Sequence, residues 1–236
     1  MCTVTFVASQ NKFIITHNRD EKTLRPSAIE PQLYNVNNQS ILFPKDPHAG
    51  GTWFSVAQNG AVLVLLNGGE EKHKVLSAYR KSRGLIVLDL ISSKSVVKEW
   101  ETLNLESIEP FTLVCFDNSK LYQFRWNGIE KTKIYLDKNQ PHIWSSATLY
   151  SKEIRQERAV WFKLFLQNKT NITADDLIDF HKNTETSNTE NGLIINRNNE
   201  LKTLSITQTV VENNKTTTRY FDLISQNEYE TILQTI

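Results

Sequence analysis

At 236 residues, with 27 Lys+Arg against 26 Asp+Glu, the chain has a formal net charge of +1 and a hydrophobic content of 39%, which fits one globular domain able to bury a sizeable core. That balance argues against nucleic acid as the main partner, because phosphate neutralisation needs a clustered excess of Lys and Arg; only residues 72–74 and 80–83 are locally basic. Two cysteines make no disulfide framework, no apolar run approaches the ~20 residues of a membrane span, and no basic start with an apolar stretch marks a secretion signal, so a soluble cytoplasmic protein without an integral membrane segment is expected.

Residues 3–8 and 12–17, rich in Val, Ile, Phe and Thr, read as a hairpin across Ser9-Gln-Asn11. Residues 18–48 hold Pro26, Pro31, Pro44 and Pro47 and read as a long excursion with short strands near Leu33 and Ile41. Residues 51–57 and 61–66 flank Asn59-Gly60, a strong hairpin signal, and the second is apolar on both faces, as a central covered strand requires. Residues 77–92 read as a helix, although Gly84 and the Leu85-Ile-Val-Leu88 run count against it; residues 96–103 add a short one. Strands follow at 111–116, 121–126 and 131–136, then a clear amphipathic helix at 151–167 and another opening at Thr173, which can cap it. Strands at 193–195, 204–211 and 216–223 and a terminal helix from about Gln226 complete an α+β pattern, with one domain over 1–236 and helices on both faces of antiparallel sheets. Asn38, Asn168, Asn171 and Asn214 match the glycosylation acceptor pattern, which the Asn-rich composition accounts for without a secretion signal.

The cysteines differ by position. Cys115 lies in an apolar run, where a thiol is ordinarily an inert core residue, whereas Cys2 directly follows the only methionine. Methionine removal tolerates a small second residue, so Cys2 can become the first residue. Its α-amine, titrating near ~7.7–8.0, then serves as base beside a thiol of pKa about 8.5 that a nearby cation lowers.

Asn18-Arg19-Asp20-Glu21 ends the second strand, which returns beside residue 2. Arg19 is placed to stabilise a thiolate and Asp20 to hold the α-ammonium. A solvated turn at a strand end would look the same, and an extended backbone sets Arg19 and Glu21 on one side with Asn18 and Asp20 on the other. Asn67-Gly68-Gly69 closes the apolar strand; it is a good turn, and equally a place where an amide faces a developing oxyanion. The histidines His17, His48, His73, His142 and His181 form no metal-binding spacing, and no phosphate-cradling glycine loop is present, so no metal and no cofactor are expected. Trp53, Phe54 and Trp144 are candidates for core or for an apolar pocket.

Met1-Cys2-Thr3, Asn18-Arg-Asp-Glu21, Gly50-Gly-Thr-Trp53 with Asn59-Gly60, and Asn67 after the apolar strand together resemble the NRDE, or transport and Golgi organisation 2 (TANGO2), family, with weaker similarity through His142-Ile-Trp-Ser-Ser146 and residues 204–220. That family in turn is similar to N-terminal-nucleophile hydrolases of the choloylglycine hydrolase and penicillin V acylase group. The resemblance implies a four-layer αββα sandwich, with two antiparallel sheets between helical layers. It also implies Cys2 as nucleophile, Arg19 as thiolate partner, Asp20 as amine partner and Asn67 as oxyanion donor, with Asn18 and Glu21 in support. Two departures stand out. Arginine and aspartate are adjacent here rather than separated by two residues, which leaves the carboxylate role open between Asp20 and Glu21. A second oxyanion asparagine is replaced by serine, Ser145 or Ser146, and Arg197 and Arg219 are candidates for a later arginine. The activity implied is an amidohydrolase or acyltransferase on a non-peptide amide or thioester through an acyl-Cys2 intermediate. The alternative is a non-catalytic carrier of a small acyl-CoA, lipid-like or haem ligand.

Overall fold

The structure, a computed structural model, describes residues 2–167 and 169–235, with Cys2 described by its backbone alone. The acceptor pattern at Asn168 therefore lies outside the described residues. Strands β1 (Cys2–Ser9) and β2 (Lys12–Lys22) form the expected hairpin, turning through Gln10 and Asn11 at φ 50° and 62°. Two consecutive left-handed residues match the right-handed twist of the flanking strands, and Asn tolerates that conformation well. The same device joins β3 (Ile29–Val36) to β4 (Gln39–Lys45) through Asn37 and Asn38, so the proline-bearing excursion is a second, longer hairpin. Next come β5 (Phe54–Ala57), β6 (Val62–Asn67), α1 (Arg83–Ile91), α2 (Val96–Thr102), β7 (Phe111–Asp117), β8 (Lys120–Trp126) and β9 (Lys131–Leu136). The chain continues through β10 (His142–Ser145), α3 (Lys152–Gln167), α4 (Ala174–Asn183), β11 (Asn196–Arg197), β12 (Leu201–Val211), β13 (Lys215–Asp222) and β14 (Glu228–Gln234).

Three segments differ from the sequence reading. The first helix begins only at Arg83, where Ser82 caps it, because no apolar stripe precedes Leu85. The end of the chain is the strand β14 rather than a helix: in its seven residues Tyr229, Thr231 and Leu233 are the more buried positions, and a stretch this short gains more by extending the edge of a sheet than as an isolated helix. Residues 193–195 lie outside any ladder, with Leu193 and Ile195 buried; Leu193 N bonds the Thr184 carbonyl, and Ile195 N bonds the Thr203 hydroxyl.

Two compact units result. One joins Met1–Arg25 to Lys138–Leu233, and the other is Pro26–Asp137 with Gln234–Ile236. The first is a seven-stranded sheet ordered β10-β1-β2-β12-β13-β14, with β11 beside β12. Helices α3 and α4 pack on one face of it through Phe162, Leu177 and Phe180 against Val7, Ile14 and Val210. A capping box at Thr173 and Asp176 starts α4 as the sequence suggests. The second is the meander β3-β4-β5-β6-β7-β8-β9, whose central β6 is buried along its length. On it α1 buries Ile86, Val87, Leu90 and Ile91, and Trp100 of α2 stacks on Phe124 at 4.9 Å. Cys115 is buried in β7, and burial pushes its thiol well up, as an inert core cysteine requires. Trp53 and Phe54 are core, while Trp144 is half-buried in β10. Among the described residues no helix is long and apolar enough to cross a membrane.

The Gly50-Gly51-Thr52-Trp53 motif has a packing reason. The first turn of α1 approaches this segment backbone to backbone, with Thr52 N bonding the Gly84 carbonyl at 3.2 Å, and a Cβ on Gly51 would lie 2.4 Å from the Gly84 carbonyl carbon. Replacing Gly51 by Ala must push α1 off β5, and a loss of about 1–3 kcal/mol is expected in urea unfolding. A neutral Gly51→Ala variant would refute the close docking.

Candidate active site

β2 stays extended through Asn18, Arg19, Asp20 and Glu21, so its side chains alternate between the two faces of the first sheet. Ile14, Asn18 and Asp20 meet residues under α3 and α4, and Thr16 accepts from Gln208, which also bonds the Ala174 carbonyl. Arg19 and Glu21 fall on the opposite face, where their charged groups are 4.0 Å apart. The tetrad is thus divided two and two, and no turn gathers it into one cluster.

Asn18 is a structural clamp. Its amide nitrogen donates to the carbonyls of Leu193 at 2.7 Å and His181 at 3.1 Å, and its carbonyl oxygen lies 2.6 Å from His181 Nδ1. An amide oxygen only accepts, so Nδ1 carries the proton and Nε2 accepts from the Thr5 hydroxyl at 2.8 Å. Burial, with the Arg158 charge adding to it, holds the imidazole neutral and lowers its pKa to about 3.

Asp20 is fully buried and bonded through both oxygens, accepting from Thr203 at 2.7 Å and Tyr150 at 2.6 Å. Burial raises its pKa, while the Arg158 charge and the Tyr150 hydroxyl act the other way. Burial and the Asp20 charge push the Tyr150 phenol well up, so it stays protonated and donates. Arg158, also fully buried, lies over the Tyr150 ring with its guanidinium carbon 3.5 Å from the centroid. It donates to the Thr3 hydroxyl and to the carbonyls of Asn191 and Gly192. Thr203 reaches Asp20 through a bulge: Arg19 pairs with Ser205 and Asp20 with Thr203, leaving Leu204 as the extra residue. Were the strand regular through Leu204, Thr203 would share a face with Ser205 and Thr207.

Along the ladder the register sets Cys2 directly across from Arg19 and Thr3 across from Asn18. Arg19 is buried, and Glu21, half-buried, lies near Arg25 as well, at 3.9 Å. His17, one pair further along, is held neutral chiefly by burial. Removal of Met1 and the state of the Cys2 thiol lie outside the described residues. Ser145 ends β10 with its hydroxyl 3.3 Å from that of Thr3, while buried Ser146 bonds Thr148 at 3.0 Å. Asn67 is the last residue of β6, in the second unit, and pairs with Phe111. Arg197 bonds the Glu190 carbonyl, and Arg219 pairs with Asp175 near the surface. Among the described residues no group of His, Cys, Asp and Glu could hold a metal ion.

Tyr150, Arg158, His181 and Thr203 were not singled out from sequence. Two of them left a trace. Arg158 is four residues after Ile154 and four before Phe162, a cation within the apolar stripe of α3, and His181 continues the stripe of Leu177 and Ile178.

Comparison with solved structures defines the class of fold. The chain is similar to a Caenorhabditis elegans N-acylethanolamine-hydrolyzing acid amidase ortholog, at TM-score 0.61 and 11% identity, over 88% of this chain and 92% of that one. It is similar also to two variants of the conjugated bile acid hydrolase from Clostridium perfringens, a cysteine-to-alanine mutant at TM-score 0.56 and 8% identity and an arginine-to-leucine variant at 0.57 and 10%, each over 98% of this chain and 92% of the other. The fold is therefore that of the N-terminal-nucleophile hydrolases. Within that class, residues 1–236 match the Transport and Golgi organisation 2 family, and the chain belongs to it. No curated protein matches the sequence.

The neutral His181 gives a pH test. Its folded pKa is about 3 against 6.5 when unfolded, so its contribution is complete above pH 6.5 and is lost as pH falls through the interval between the two. His181→Gln can keep both bonds without titrating. The stability gap between the two proteins is expected to shift by about 2 kcal/mol against the wild type from pH 7 to pH 5, with Asp20 and His17 cancelling in the difference. Parallel urea-unfolding curves across that interval would show that His181 is not buried neutral.

Proposed function

We propose that the chain is an N-terminal cysteine amidohydrolase or acyltransferase acting on a non-peptide amide or thioester. The observation that carries this reading is the register of the first hairpin, which places buried Arg19 opposite residue 2 in a chain with this fold. With Met1 removed, the Cys2 thiol passes its proton to its own α-amine and the thiolate attacks the acyl carbon. Amide hydrogens are the proposed donors to the oxyanion. The α-ammonium protonates the departing amine or thiol, leaving an acyl-Cys2 thioester, and water or an acceptor then takes the acyl group and regenerates the thiol. Asp20, kept beside the hairpin by Tyr150 and Thr203, is the proposed partner of the α-ammonium.

Glu21 takes a different part from Asp20. It lies on the face of Arg19 and shares its charge between Arg19 and Arg25, so it acts as a counter-ion to the arginine.

Intact mass and alkylation by iodoacetamide test the reading. The purified chain is expected to lack Met1 and to take one equivalent at Cys2 under native conditions, with Cys115 silent until unfolding. Arg19→Met should slow labelling at neutral pH by about tenfold or more, by raising the thiol pKa. Glu21→Gln should speed it, because an unopposed Arg19 favours the thiolate. A retained Met1, or a Cys2 no more reactive than Cys115, would overturn the N-terminal-nucleophile mechanism and make carriage of an acyl, lipid-like or haem ligand the better account.

A further inference from the structure

Between β6 and α1, residues 70–82 form no regular structure, and from Glu70 to Ala78 every residue but His73 is exposed. The tip carries two adjacent aliphatic side chains, Val75 at 67% and Leu76 at 57% exposure. The loop is nevertheless fixed at its base. Gly68 N bonds the Pro110 carbonyl at 3.0 Å, Arg80 N bonds Ser107 O at 2.8 Å, and the Arg80 guanidinium donates to the carbonyls of Asn104 at 2.7 Å and Glu106 at 3.2 Å. At the tip the Tyr79 hydroxyl accepts from Leu76 N at 2.9 Å, closing the turn that presents the two aliphatics.

The two aliphatic side chains are flanked by basic ones. Lys72 and Lys74 flank the tip with no carboxylate ion pair among the described residues, and Arg80 spends its hydrogen bonds on carbonyls rather than on a carboxylate. Of the nearby carboxylates, Glu70 pairs with Arg125, Asp89 with Lys81, and Glu109 with Arg83 and His73, while Glu71 at the start of the loop and Glu106 beside Arg80 are exposed, so the basic groups outnumber the remaining acidic ones by one. We infer that residues 70–82 are a docking loop for an anionic lipid bilayer, with Val75 and Leu76 entering the headgroup boundary while Lys72, Lys74 and Arg80 meet the anionic headgroups.

The chemistry favours a bilayer over an acidic protein. A stable protein interface needs about 800 Å² of surface from each partner, and a two-residue aliphatic tip on an exposed loop does not supply it. A bilayer accepts a small apolar insertion together with diffuse positive charge, and the two signals add. The contact is peripheral and reversible, as expected for so few groups.

The test is co-sedimentation of the full chain with vesicles of phosphatidylcholine alone and of phosphatidylcholine with phosphatidylserine. Binding is expected to the phosphatidylserine vesicles only and to fall as salt is raised. Lys72→Gln with Lys74→Gln should weaken partitioning roughly thirtyfold, taking each basic residue as worth about fivefold. Val75→Ser with Leu76→Ser should weaken it while leaving the salt dependence. Both pairs lie on an exposed loop, and near-ultraviolet circular dichroism checks that the fold is kept. Equal sedimentation with both vesicle types, unchanged binding by both variants, or capture by polyglutamate without capture by vesicles would overturn the proposal.

Discussion

The period of two in an extended strand is the constraint from which the site is built. β2 runs between β1 and β12 without breaking its alternation, so neighbouring residues of the Asn-Arg-Asp-Glu tetrad are sent to opposite sides of the sheet. One side is closed by helices and holds Asn18 and Asp20 in fixed hydrogen bonds. The other carries Arg19 and Glu21 across from residue 2. The tetrad is therefore two devices sharing a backbone: a pair of anchors and a pair of tunable charges.

The anchors bring buried charge with them. Asp20 and Arg158 are both withdrawn from water, and neither could remain so without the hydroxyls and carbonyls that surround them. Tyr150 serves both, donating to the carboxylate and offering its ring face to the guanidinium. Arg158 also holds Thr3, so the same network grips β1 one residue after Cys2 and β2 one residue after Arg19. Rigidity of this kind around the two strand ends is what a site needs if a nucleophile and its partner are to be set to within a fraction of an ångström.

Much of this was legible in the sequence because it is local. Asn-rich turns announced the hairpins, the doubly apolar run at 61–66 announced the central strand, and Thr173 announced the start of α4. Alternation along residues 18–21 even gave the division of the tetrad. What escaped is non-local. Nothing near Asp20 in sequence indicates that its oxygens are met by Tyr150 and Thr203, more than a hundred residues away. The final strand was misread for a related reason: its seven residues take their conformation from the neighbouring β13 rather than from their own preference.

The extra residue in β12 gives that strand a phase as well as a pattern. From Ser205 onward, odd-numbered residues lie on the side of Arg19 and His17; before Leu204 the parity is reversed, and Thr203 reaches Asp20. Removing Leu204 would give an unbroken ladder with Thr203 still across from Asp20, whereas keeping Leu204 in regular alternation would turn the Thr203 hydroxyl away from the carboxylate. What the buried carboxylate depends on is the break in alternation at Leu204, and not the identity of that side chain.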